Sequence, residues 1–164
     1  MKGKVYIAYG SNMDFPQMEG RCPDAEFLGA GVLRNWRLMF KGSLTGSYAT
    51  IEKEKGLVVP VLLWRISAAD EKRLDRYEGF PSFYYKKTVT VADVAAVNAS
   101  WSPKNGKCKG MAYIMDEKRG LRHPSHSYYG VLANAYRLFG FDMDILAEAL
   151  DYSNANGGFY DEEA

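Results

Sequence analysis

The chain has 164 residues and a mass of 18.4 kDa, enough for one domain that builds its own core without disulfides or a structural metal. Apolar residues make up 47% and charged residues 25%, which excludes a disordered chain. With 21 Lys and Arg against 20 Asp and Glu the net charge is +1, so the basic footprint of a nucleic-acid binder is missing. Cys22 and Cys108 are too few for a disulfide framework. The apolar run Val5 to Tyr9 is shorter than a signal-peptide core or a membrane span. The expectation is a cytoplasmic protein without membrane or nucleic-acid partners.

Val5 to Tyr9 reads as a buried first strand, stopped by Gly10-Ser11-Asn12. Asp14 to Gly20 holds a helical turn kept short by Pro16. Phe27 to Phe40, broken by Gly29, Gly31 and Asn35, reads as one or two strands, and Tyr48 to Glu52 as another short one. Leu57 to Ile66 reads as a central strand in which Pro60 demands an edge or a bulge. Ala68 to Tyr77 is a helix: Ser67 and Asp70 form a capping-box pattern before it, and Gly79 follows its end. Tyr84 to Val91 alternates as a strand. Val94 to Trp101 is expected to pair with Lys109 to Met115 through the turn residues 102–106. Helices are expected from Ser125 to Phe139 and from about Asp142, with a surface tail over 154–164 behind a domain of residues 1–153. Many short strands, one inserted helix and two terminal helices predict an α+β fold built on a small barrel or curled sheet.

Three segments carry possible chemistry. Tyr9-Gly10-Ser11-Asn12 follows the first strand directly. Glycine permits close backbone approach there, consecutive N–H groups can form an anion nest, and Ser11 and Asn12 add side-chain donors. A plain β-turn is the competing reading. Glu78 lies among Tyr77, Gly79, Phe80 and the residues 83–85, where partial burial favours the neutral acid and suits proton transfer near pH 7. A solvated helix-end carboxylate is the alternative. His123 and His126, with no acid or thiol beside them, make a poor metal site, and Lys86 and Lys87 read as solvated strand residues.

The Tyr9-Gly10-Ser11-Asn12 loop after the first strand, Gly46 to Ile51, the run Leu74-Asp75-Arg76-Tyr77-Glu78-Gly79 after a helix, and Tyr84-Tyr85 opening a strand occur in this order. In that arrangement the chain resembles the γ-glutamylcyclotransferase-like (AIG2-like) superfamily. The resemblance implies a small mixed β-barrel with flanking helices and no metal or organic cofactor. The implied partner is a small γ-glutamyl compound whose α-amine attacks its own γ-carbonyl, giving 5-oxoproline and a free amine. It implies Glu78 as the general acid and base, the Tyr9–Asn12 loop as binding either the substrate carboxylate or the oxyanion, and Tyr85 and Tyr128 as pocket residues. Specificity for the leaving group is expected from 81–83, 98–107 and 119–127. A non-catalytic γ-glutamyl-binding or regulatory module of the same fold is the alternative reading. Oligomeric state is not legible.

Overall fold

The structure, a computed structural model, describes residues 3–43 and 45–156. Strand β1 (Lys4–Ala8) leads through a 3-10 turn (Ser11–Met13) into helix α1 (Phe15–Arg21). There follow β2 (Glu26–Ser43), β3 (Gly46–Ile66), α2 (Ala68–Glu78), β4 (Tyr84–Ala96), β5 (Cys108–Met115), the two-residue β6 (Gly120–Leu121), α3 (His126–Phe139) and α4 (Met143–Asn156). The strand order β3-β1-β5-β4-β2, with β2 paired back onto β3, closes a five-stranded barrel, and β6 attaches to the outer end of β2. All pairings are antiparallel except β1 with β5. Closure removes every exposed edge but those of the long β2–β3 ribbon.

The two longest strands were legible only in pieces. Phe27 to Phe40 is one strand of 18 residues bent by bulges at 27–29 and 34–36, and Tyr48 to Glu52 joins Leu57 to Ile66 in a single strand of 21. Pro60 sits inside that ribbon opposite Val32. The predicted hairpin is corrected in register. It is residues 84–91, not 94–101, that pair with β5, whereas 92–96 cross to β2. β4 changes neighbour between Val91 and Ala92, and Asp93, at φ 51°, lies in the irregular register that follows. The crossing is close: a Cβ at Gly29 would stand 2.3 Å from the Ala95 carbonyl oxygen, which only glycine tolerates. α4 runs on through Asn156, and the rest of the expected tail, 157–164, lies outside the described residues.

The barrel is filled by side chains such as Ile7, Leu63, Val91 and Ile114, all essentially inaccessible. Each contributes about 1.5–3 kcal/mol on burial. Outside it, α2 buries two residues. Leu74 is fully buried. Asp70, also fully buried, closes the capping box with Ser67 and accepts a hydrogen bond from the Asp24 backbone N–H. One turn beyond Leu74, on the same helical face, comes Glu78. Gly79 then ends the helix in the left-handed conformation (φ 67°). The helix therefore carries Glu78, its last residue, on the face that Leu74 buries. Among the described residues, no helix is long and apolar enough to cross a membrane.

Candidate active site

A cavity of about 370 Å³ opens between the end of α2, the loop after β1 and the outer wall of the barrel. That is the size of a small-molecule pocket. Tyr9, Gly10, Ser11, Asn12, Glu78 and Tyr128, six of the seven residues predicted for the site, line it together. Seven of the twelve tyrosines do so: Tyr6, Tyr9, Tyr48, Tyr77, Tyr84, Tyr113 and Tyr128.

Tyr85 is the exception. It lies on the opposite face of β4, beside its cross-strand neighbour Ile114, and its hydroxyl donates to Glu117. Its neighbour Tyr84 faces the cavity instead. Side chains alternate along a strand, so a shift of one residue exchanges the two faces. Tyr84 shares its face with Lys86 and with their partners Met115 and Tyr113, on the side where α2 packs. Lys86 is accordingly not a solvated residue; it is half-buried and bridges Glu71 and Asp75 of α2.

Among the described residues that line the cavity, Glu78 is the one acid. Burial pushes the Glu78 carboxyl up to about 7, with the Arg21 guanidinium opposing the shift. No described residue donates a hydrogen bond to it or forms an ion pair with it. A carboxyl in that condition exchanges a proton readily at neutral pH.

The backbone N–H groups of Gly10, Ser11 and Asn12 open the 3-10 turn and meet no acceptor among the described residues. Three adjacent free donors can hold a carboxylate or an oxyanion. The side chains of Ser11 and Asn12, in contrast, are already engaged. Arg21 donates to Ser11 Oγ (3.1 Å), Asn12 Oδ1, Gln17 Oε1 (2.8 Å) and the Tyr77 hydroxyl (2.6 Å), and its guanidinium lies 3.7 Å from the Tyr77 ring centre. Asn12 Nδ2 donates to the Tyr6 hydroxyl at 2.8 Å. These side chains brace the loop and tie it to the last turn of α2, leaving its backbone as the donor surface.

The tyrosine hydroxyls divide by where their protons go. Tyr9 donates to the Tyr113 carbonyl, Tyr84 to the Ala49 carbonyl (2.9 Å) and Tyr113 to Asp75 (2.6 Å). The Tyr6 oxygen instead accepts from Asn12, and the Tyr128 oxygen accepts from the Ala49 N–H at 3.0 Å. A phenol that accepts keeps its own proton for another acceptor. Tyr6 and Tyr128 therefore present donors to the cavity. Burial, with Glu78 adding to it, holds the hydroxyls of Tyr6, Tyr9, Tyr84 and Tyr128 well above their ordinary pKa, so all four stay neutral. Tyr128 is set in place by α3, whose N-cap Ser125 accepts from the Tyr128 N–H; its hydroxyl stands over Gly10, 3.3 Å from where a Cβ would be.

The family described as gamma-glutamyl cyclotransferase, AIG2-like, matches residues 6–130. The chain belongs to that family. No curated protein matches the sequence significantly. Among solved structures it is similar to a protein titled gamma-glutamyl cyclotransferase (23% identity, TM-score 0.71, covering 90% of this chain and 86% of the other). It is also similar to an uncharacterized human protein, loc79017 (24%, 0.72, 91% and 87%), and to YkqA from Bacillus subtilis (19%, 0.72, 96% and 56%). At these identities the structural likenesses establish the fold, a barrel with four helices of the gamma-glutamyl cyclotransferase type.

Tyr6, Arg21, Tyr77, Tyr84 and Tyr113 enter the site without having been singled out in the sequence. Strand parity could have found Tyr84. No spacing rule anticipates the reach of Arg21 from α1 back to the loop, since that depends on where the helix is set down. Of the three segments expected to determine specificity, only 81–83 reaches the cavity, through Phe83, with Arg119 stacked on its ring at 3.9 Å.

Proposed function

We propose that this protein is a γ-glutamyl cyclotransferase that converts a γ-glutamyl amine or peptide into 5-oxoproline and the free amine, with Glu78 as general base and then general acid. The observation that carries the reading is the Glu78 carboxyl, without a partner among the described residues and raised to about 7, on the wall of a cavity that also presents the Gly10–Asn12 backbone N–H groups and the Tyr6 and Tyr128 hydroxyls. Membership of the AIG2-like family supports it.

The substrate carries its own nucleophile, and tethering it to the electrophile removes most of the entropy of bringing the two together. Glu78 takes a proton from the α-ammonium. The freed amine attacks the γ-carbonyl carbon and closes a five-membered ring. The tetrahedral oxyanion needs preorganised donors, and either the Gly10–Asn12 N–H groups or the Tyr6 and Tyr128 hydroxyls can supply them. The set not so used is left for the α-carboxylate. As the amide C–N bond breaks, Glu78 returns its proton to the leaving nitrogen, and the ring nitrogen gives up its second proton to the departing amine or to solvent, so this scheme requires no external acid, metal or organic cofactor. The free cysteines Cys22 and Cys108 fit a reducing, cytoplasmic setting.

The reading is tested by measuring 5-oxoproline release from a panel of γ-glutamyl amino acids, peptides and amines, with Glu78→Gln as control. Release that disappears in the variant is the expected result. Tight binding of a panel member without any release would identify a binding module instead.

A further inference from the structure

We propose that the departing half of the substrate carries a large apolar side chain, aromatic above all, and that Phe83, Tyr77 and Tyr48 at the cavity mouth form the subsite that takes it. The proposal rests on the cyclotransferase reading for which half of the substrate lies deep in the cavity.

The cavity is polar at its buried end and aromatic at its open one. Tyr6, Asn12 and Tyr84 are buried, and the glutamyl half, with its carboxylate, amine and γ-carbonyl, belongs there beside the loop donors and Glu78. Whatever is bonded to the γ-nitrogen then lies at the open end. There Tyr77 is 51% exposed, Tyr48 is 38% exposed and Phe83 is half-buried. Apolar ring surface left in water on a cavity wall favours a guest that covers it with apolar surface of its own.

The rings are held in place by the protein itself. The turn after α2 is closed by the Phe83 N–H, which donates to the Gly79 carbonyl at 2.8 Å, and the Phe83 carbonyl accepts from the Asp116 N–H at 3.1 Å. The Arg119 guanidinium lies 3.9 Å from the Phe83 ring centre, and Arg21 covers Tyr77 in the same way at 3.7 Å. Tyr48 stands edge-on to Phe83 (6.4 Å) and to Tyr128 (5.4 Å), which joins the mouth to the donors over Gly10. Rings fixed in this manner lose little freedom when a ligand binds. The backing cations also select the guest. Guanidiniums behind both rings repel an ammonium, and Glu78, occupied by proton transfer, is the one acid among the described lining residues. A neutral ring or branched alkyl group meets no such opposition.

A series that changes only the side chain of the departing half isolates the subsite: γ-glutamylphenylalanine, γ-glutamylleucine, γ-glutamylalanine and the lysine compound acylated at its α-nitrogen. For the wild-type protein, kcat/KM for 5-oxoproline release should fall in that order, with about tenfold or more between the phenylalanine and alanine compounds. Phe83→Ala and Tyr48→Ser should each bring that ratio severalfold closer to one, mainly through KM for the phenylalanine compound. Phe83→Leu, which keeps an apolar group of similar reach, should lower the phenylalanine preference and retain the leucine one. Arg119→Gln, which removes the backing of the ring and not the ring, should cause a smaller loss in the same direction. Equal kcat/KM across the wild-type series, or a preference for the lysine compound, would overturn the proposal. So would a phenylalanine-to-alanine ratio unmoved in both Phe83→Ala and Tyr48→Ser, which would place the departing half elsewhere. Absence of 5-oxoproline from every compound would instead reject the cyclotransferase reading. Calorimetric binding of the same series then decides the subsite separately: tighter binding of the phenylalanine compound that Tyr48→Ser weakens sustains it, and equal or undetectable binding rejects it.

Discussion

Three carboxylates of α2 stand within two turns of one another, and their surroundings are opposite. Glu71 and Asp75, in the body of the helix, face Lys86 across the barrel wall. Lys86 reaches both, and Lys4 and the Tyr113 hydroxyl complete their coordination. Burial works against the charge on Glu71, but the bonds from Lys86 and Lys4 prevail and hold its pKa below the usual value. Glu78, three residues beyond Asp75, has no such partner, and burial prevails there. One helix thus carries a pair of acids that hold it to the sheet and one acid kept uncommitted over a cavity. Environments that push like groups apart in pKa separate structural from reactive roles.

The contrast is broken most severely at Glu78. Glu78→Gln should lower 5-oxoproline release about 10²–10⁴-fold, the range of general acid–base catalysis, with substrate binding retained. The same change should stabilise the fold at alkaline pH. A carboxyl whose folded pKa is raised from 4.5 to about 7 makes the wild type lose stability as pH climbs through that window, by at most about 3 kcal/mol. Thermal melts at pH 5 and pH 8 should therefore show a gain for the variant only at pH 8.

Arg21→Gln comes next, with an expected loss of about ten- to a hundredfold as the loop slips from its position. Because Arg21 holds the Glu78 pKa down, the acid limb of the rate profile should also move to higher pH, which a purely structural lesion would not produce. Tyr128→Phe, which removes a hydroxyl free to donate, should lower kcat about tenfold or more, whereas Tyr85→Phe should leave turnover within about twofold. Glu71→Gln should leave turnover near wild type and cost about 1 kcal/mol of stability, read from denaturant midpoints. Its pH dependence has the opposite sign to that of Glu78. A lowered folded pKa contributes stability that is present above the unfolded value and lost as pH falls through the folded one.

Features fixed by neighbouring residues were legible in the sequence. The capping box of Ser67 and Asp70 and the glycine stop at Gly79 both act within one helical turn. The Tyr9–Asn12 loop and Glu78 were legible for the same reason: each stands at an element boundary marked by glycine. Closure of the barrel, the passage of β4 from β5 to β2 after Val91, and the facing of Tyr84 rather than Tyr85 depend on partners far away in sequence. The roles of Ser11 and Asn12 were half legible. They line the cavity, but the guanidinium that takes up their side chains comes from another element.

The most direct test of the account is kcat/KM for 5-oxoproline release against pH, measured for the wild type and for Glu78→Gln. The account predicts a wild-type profile with an acid limb near pH 7, where Glu78 must ionise before it can accept a proton. It falls again at alkaline pH, as the substrate ammonium loses the proton that the leaving group needs, and activity is close to zero for the variant throughout. Release by Glu78→Gln at near wild-type rates, with the acid limb unmoved, would contradict it.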